Sequence, residues 1–303
     1  MATHQTAKTQ YVSTPRGTKF AYRRLGTSGG TPLVILTHFR GVMDKLDPEL
    51  VNALAAQRAV VLVDYAGVGL STGAVATTMR QAADDVAEFL TLIGAREVDV
   101  LGFSLGGYVA QLLALNANGN PAAGLRVRKL ILAGTASSAG PDVAASRHTD
   151  VRDYAAAQHV TPATFETLFF PKTSAGAAAA AQWWARVHER SRATSGEEPA
   201  TWLSEGYVDG AAGLKAQVAQ VAGYAAPETS QGLDGSYERL PELRIPVLVV
   251  NGHDDYMIPT ANSFVLQQRL PSAQLVVYPD SGHGALFQYA SLFAKHAVLF
   301  LEA

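Results

Sequence analysis

The chain has 303 residues, of which 48% are hydrophobic and 17% charged, with a formal net charge of −2 and no cysteine. That length serves one large α/β domain or two small ones with an ample core, and a nearly neutral charge without long runs of one sign argues against nucleic acid or an anionic membrane as the main partner. The missing thiols exclude disulfides, thiolate catalysis and cysteine-ligated metals, and with neither an apolar signal core at Met1–Lys8 nor an apolar run long enough to cross a bilayer, a soluble, cytoplasmic protein is expected.

Taken in order, Thr9–Ser13 and Lys19–Leu25 flank a Pro15-Arg16-Gly17 turn and read as a hairpin. Leu33–Leu36 and Val60–Val63 are short and continuously apolar, as strands buried on both faces of a parallel sheet are. Pro48–Gln57 and Thr77–Ile93 carry helical patterns between and after them. Val98–Leu101 leads into Gly102-Phe103-Ser104-Leu105-Gly106-Gly107, and Tyr108–Leu115 leads out as a helix. Arg126-Val127-Arg128-Lys129, the densest basic patch, reads as the solvated entrance of the next buried strand, Leu130–Ala133.

The strand and helix alternation then stops. From about Thr135 to Leu240 the chain is alanine-rich and helical in pattern, broken at Pro162, Pro171, Pro199 and Pro227, and it holds Trp183, Trp184 and Trp202. Alternation resumes with strand Pro246–Val250, helix Pro259–Leu270, strand Gln274–Tyr278 and a closing helix from about Phe287 to Leu301. The pattern predicts one doubly wound α/β domain, residues 1–135 and 241–303, interrupted by a helical insertion over 136–240.

Gly-x-Ser-x-Gly between a strand and a helix places Ser104 at the apex of a sharp turn. Side chains at Gly102 and Gly106 would collide with each other and with the neighbouring strand, and Gly107 lets the helix pack closely. A serine hydroxyl needs a base, and the base needs an orienting carboxylate. In an open parallel sheet such groups gather in loops beyond the strand ends. Of the eight histidines, His283 stands between two glycines after Gln274–Tyr278. The loop after Val247–Val250 holds Asp254 and Asp255, and local chemistry leaves the choice between them open. His38 and His253 read as loop-shaping residues. The tetrahedral oxyanion needs donors: the N–H of Leu105 and one from the loop His38-Phe39-Arg40-Gly41.

The ordered set of Gly102–Gly106, Gly252-His253-Asp254-Asp255 and Gly282-His283 resembles the α/β-hydrolase fold superfamily over nearly the whole chain. Asp64-x-x-Gly67-x-Gly69-x-Ser71 also matches that superfamily's turn after the preceding strand. The resemblance implies a mostly parallel, eight-stranded doubly wound sheet, a helical cap in the insertion, and an acid three residues after the glycine, which selects Asp255. It is nearest the small esterase, lactonase and cofactor-free haloperoxidase-like branch. Relatives commonly carry His-Gly-x where this chain has His38-Phe39-Arg40, so the second oxyanion donor is Phe39 or Arg40, and the Arg40 side chain either brings a charge to the pocket mouth or hydrogen-bonds loop carbonyls. Ser104 argues against the dehalogenases and epoxide hydrolases of the fold, which use an aspartate nucleophile.

The expected activity is therefore hydrolysis of a small-molecule carboxylic ester or lactone by Ser104, His283 and Asp255, without metal or cofactor. Carbon–carbon bond hydrolysis, peracid formation and a small-molecule receptor with residual activity are the alternatives. Trp183, Trp184, Met257, Ile258 and Phe287 are the expected pocket walls. Oligomeric state is not legible.

Overall fold

The continuous apolar runs form the inner strands of one sheet. The chain was described through a computed structural model covering residues 1–27, 29–120, 122, 124–156, 159–201 and 211–303. The strands are β1 (Gln10–Ser13), β2 (Lys19–Leu25), β3 (Leu33–Leu36), β4 (Val60–Val63), β5 (Glu97–Phe103), β6 (Arg126–Ala133), β7 (Val247–Gly252) and β8 (Ala273–Tyr278). They lie in the order β1-β2-β4-β3-β5-β6-β7-β8. β1 and β2 pair antiparallel, as do β2 and β4, while the remaining pairs are parallel. Every residue of β3 and β4 is buried, which is why neither shows the alternation of a half-exposed strand.

Helices α1 (Pro48–Ala55), α2 (Met79–Leu92) and α3 (Leu105–Asn118) follow β3, β4 and β5. α1 begins on Pro48 with Asp47 accepting from the Glu49 N–H, and Thr78 caps α2 by accepting from Gln81. Between β6 and β7 the described residues hold helices and no strand: α4 (Thr149–Ala156), α5 (Pro162–Phe169), α6 (Ser174–Arg186), α7 (Arg192–Ser195) and α8 (Ala211–Ala225). α9 (Ala261–Arg269) joins β7 to β8. Trp202 lies outside the described residues. No helix among the described residues is long and apolar enough to cross a membrane.

Two expectations change. The closing helix is two helices, α10 (Ala285–Gln288) and α11 (Ala290–Glu302), because Tyr289 leaves helical geometry at φ −112°, ψ 36°. Its phenol donates to the Pro279 carbonyl (2.9 Å) and its ring stacks on Tyr278. The basic patch is not simply solvated. Arg128 makes two bonds to buried Asp99 (2.9 and 2.6 Å), and Lys129 Nζ donates to the Phe300 and Leu301 carbonyls (3.0 and 3.3 Å). A cation at those carbonyls suits the C-terminal end of α11.

The strand order positions the site. From β3 the chain steps out to β4 on one side, then returns to β5 on the other, so β3 and β5 meet where the winding reverses, the usual crevice of an open α/β sheet. Leu36 pairs with Gly102, so the loop after β3 and the turn after β5 leave the sheet side by side. Gly252 likewise pairs with Tyr278, bringing together the loops after β7 and β8.

Candidate active site

The turn after β5 is tight. Ser104 has φ 57° and ψ −119°, and α3 starts at the next residue. A left-handed φ at a non-glycine residue costs on the order of 1–3 kcal/mol and persists only where the surroundings impose it. Here a Cβ on Gly102 would stand 2.3 Å from the Gly106 carbonyl oxygen, and one on Gly106 would stand 2.2 Å from that of Leu36. The serine N–H donates to Ala133 (2.9 Å), and its carbonyl accepts from Gly107 N–H (2.8 Å) and Thr135 Oγ1 (2.9 Å).

His283 Nδ1 lies 2.7 Å from Asp255 Oδ2, with both side chains fully buried. Asp255 Oδ1 accepts from the N–H groups of Met257 (2.8 Å) and Ile258 (2.9 Å), so the carboxylate has three partners. Close approach of the two loops requires glycine, since a Cβ on Gly252 would lie 2.2 Å from the Gly282 carbonyl oxygen. Asp254 instead faces solvent beside His253 Nδ1 at 3.0 Å, and that bond raises the His253 pKa. Of the adjacent pair, Asp255 is the one that reaches His283. Phe103 packs on the imidazole with ring centres 5.0 Å apart. His283 Nε2 is buried and has no hydrogen-bond partner among the described residues.

The loop after β3 is held differently. Gly41 N–H donates to the His38 carbonyl (2.8 Å), and Thr37 Oγ1 to that of Gly41 (3.1 Å). Arg40 is left-handed, with φ 61°. Its N–H donates to Gln217 Oε1 of α8 (3.0 Å), and its guanidinium to the Ala155 carbonyl of α4 (2.9 Å). The Arg40 N–H is thus occupied. The N–H groups of Phe39 and Leu105 donate to no described residue. Burial lowers the His38 pKa to about 4, so the ring is neutral; its Nδ1 bonds the Phe39 carbonyl at 2.9 Å. At the far end of the loop, buried Asp64 accepts from Met43 N–H (2.7 Å) and Leu70 N–H (2.9 Å). Burial, then the charge of Asp44, raises its pKa to about 7.

Ser104, His283, Phe39 and Arg40 line one cavity of about 460 Å3, its open mouth included. Met257 also lines it; the other expected wall residues do not. Trp183 and Phe287 are fully buried and stack on each other (5.6 Å, 29°) behind Phe169, where they fill core rather than face the cavity. Trp184 packs on His188, and Ile258 donates its N–H to Asp255. The walls missed from sequence come largely from Phe165, Leu168 and Phe169, at i, i+3 and i+4 on α5, together with Tyr154 and Val160. That spacing was the available signal, but it marks a buried face without saying which cavity the face meets. Among the described residues no group of His, Asp and Glu side chains is arranged to hold a metal ion.

A model of the alpha/beta hydrolase fold family matches residues 31–289. An alpha/beta hydrolase fold protein from Chitinophaga pinensis is 32% identical and superposes with a TM-score of 0.84, covering 100% of both chains. A protein of Azorhizobium caulinodans, provisionally named carbamate hydrolase RutD, is 26% identical over 84% of each chain. The 2-hydroxy-6-oxononadienedioate/2-hydroxy-6-oxononatrienedioate hydrolase of Burkholderia vietnamiensis is 26% identical over 80% of this chain and 76% of its own.

Proposed function

Since the chain belongs to the alpha/beta hydrolase fold family, we propose that it is a serine hydrolase cleaving a small carboxylic ester or lactone through Ser104, His283 and Asp255. The observation that carries this reading is the buried Asp255–His283 pair, whose free Nε2 belongs to a ring lining the same cavity as a strained serine. A neutral imidazole with Nδ1–H on a carboxylate has its lone pair at Nε2, ready to take the serine proton.

Ser104 Oγ attacks the carbonyl as His283 Nε2 accepts its proton. The oxyanion is held by the N–H groups of Leu105 and Phe39. Phe39 is preferred to Arg40 because the Arg40 N–H is already bonded to Gln217. The imidazolium, stabilised by Asp255, protonates the leaving alkoxide. Water, deprotonated by the same nitrogen, then attacks the acyl-serine and releases the acid. An oxyanion donor contributes roughly 3–4 kcal/mol to such a barrier. Residues 136–240 act as a cap, with α4 and α5 supplying the apolar wall.

A second reading, carbon–carbon hydrolysis of a 2-hydroxy-6-oxo-dienoate, is favoured by the name of the Burkholderia relative. Turnover of p-nitrophenyl esters of graded length, lactones, an aryl carbamate and such a dienoate by wild type and Ser104→Ala separates the two. Ester or lactone turnover lost in Ser104→Ala supports the first reading. Turnover of the dienoate alone replaces it with the second.

A further inference from the structure

Resting on the serine-hydrolase reading, we infer that Gln217 is a positioning residue, through which α8 of the insertion holds the oxyanion loop in its strained, donor-ready form. α8 buries an unusual stripe. Gly213, Gln217, Gln220 and Tyr224 face inward at i, i+4, i+7 and i+11, while Val218 is 48% exposed. Amphipathic helices ordinarily bury their apolar residues. Here two amides occupy the inner face, and a buried amide is costly unless its bonds are made.

Both amides grip core backbone. Gln217 Oε1 takes the Arg40 N–H at 3.0 Å, and Gln220 Nε2 donates to the Ala76 carbonyl. Of these two bonds, the first is to the loop between β3 and α1. Arg40 sits at φ 61°, a conformation its own side chain disfavours, so the peptide before it needs an external hold. That peptide joins Phe39 to Arg40. Binding its N–H to Gln217 fixes the orientation of Phe39 and keeps the Phe39 N–H, one residue earlier, available to substrate. Without the acceptor the buried Arg40 N–H is unsatisfied. The loop then relaxes toward right-handed backbone, turning the Phe39 peptide away from the serine.

Gln220 supplies the internal control, since it lies on the same helix face, is similarly buried and bonds the backbone of a different loop, as a donor where Gln217 is an acceptor. Kinetics on the best ester or lactone substrate, with melting temperatures as a folding check, compare wild type with Gln217→Met, Gln217→Glu and Gln220→Met. Gln217→Met, which keeps the shape and removes the acceptor, is expected to lose roughly 10²-fold in kcat with KM within about threefold. Its affinity for a trifluoromethyl ketone, which forms the tetrahedral adduct, falls in step with kcat/KM, whereas affinity for an unreactive ketone of the same shape does not change. Gln217→Glu keeps an acceptor and stays well above Gln217→Met in kcat. Gln220→Met stays within about threefold of wild type. Equal losses in Gln217→Met and Gln220→Met overturn the inference, because the helix would then matter only for docking. So does Gln217→Met at the wild-type rate, or Gln217→Glu no better than Gln217→Met. Should Gln217→Met fail to fold, Gln217→Glu against Gln220→Met still decides, with lower kcat in the former overturning the inference. If wild type turns over no ester or lactone, the underlying reading fails instead.

Discussion

Two residues of the site, Ser104 and Arg40, hold nearly the same left-handed φ, 57° and 61°, for different reasons. Ser104 is forced there by the sheet: glycines that admit no Cβ, a strand on each side, and a helix that must start at the next residue. Arg40 is held by the insertion, through Gln217 of α8 and the Ala155 carbonyl of α4. One strained turn belongs to the core and forms wherever the core forms. The other depends on helices that join the chain between β6 and β7 and must dock on it. On the proposed reading, the nucleophile turn is built into the core, whereas the loop proposed to hold the oxyanion is completed by the insertion, whose α4 and α5 also line the cavity.

The largest effects should come from the core-held half. Ser104→Ala and His283→Ala are each expected to lower kcat by about 10⁴-fold or more in ester turnover. Asp255→Asn should approach that loss by spoiling the imidazole orientation, while solvent-exposed Asp254→Asn should stay within about threefold. Equal effects at the two aspartates would break the assignment. Next comes Gly106→Ala, whose methyl meets the Leu36 carbonyl at 2.2 Å. It should cost about 3 kcal/mol in urea unfolding, as overpacking against backbone does. A neutral result would mean that the sheet does not constrain the serine turn as described.

The smallest effect concerns pH and lies on the other half. Burial lowers His4 and His38 from 6.5 to about 4. Between those values the unfolded chain takes up protons that the folded chain refuses, so stability present above pH 6.5 is lost as the pH falls toward 4. Asp64 acts oppositely. Raised from 3.8 to about 7, it favours the folded state as the pH falls through that window. Asp85, raised by burial to about 6, acts in the same direction as Asp64, so the opposing contributions nearly balance and the histidine contribution is read against wild type. His4→Gln should lose less stability than wild type between pH 6.5 and 4.5, and an unchanged slope would contradict the assignment. His4, bonded to the Met43 carbonyl at 2.8 Å, and Asp64 both brace the far end of the loop that carries His38 and Arg40.

Legibility in the sequence divides along the same line. β3, β4 and the serine turn were readable because their determinants are local: apolar runs without alternation, and glycines at fixed offsets from Ser104. His283 and the Asp254-Asp255 pair were readable because strand ends locate loops, but the choice of Asp255 came from the family resemblance, and its approach to His283 depends on the register of β7 and β8. The insertion resisted. Composition and pattern mark this segment as mostly helical, but do not show that Phe165 and Phe169 face the cavity while Trp183 and Phe287 stack behind them. On α8 periodicity misleads outright, since Gln217 and Gln220 take the inner positions where an apolar residue is expected and Val218 faces solvent.

The central claim, that Ser104 is the activated nucleophile, is tested most directly by intact-mass and peptide mapping after treatment with a fluorophosphonate. Wild type should take up one phosphonate per chain, on Ser104, at a rate that falls sharply in His283→Ala, and Ser104→Ala should take up none. Label on another residue, or equal labelling of wild type and Ser104→Ala, would contradict it.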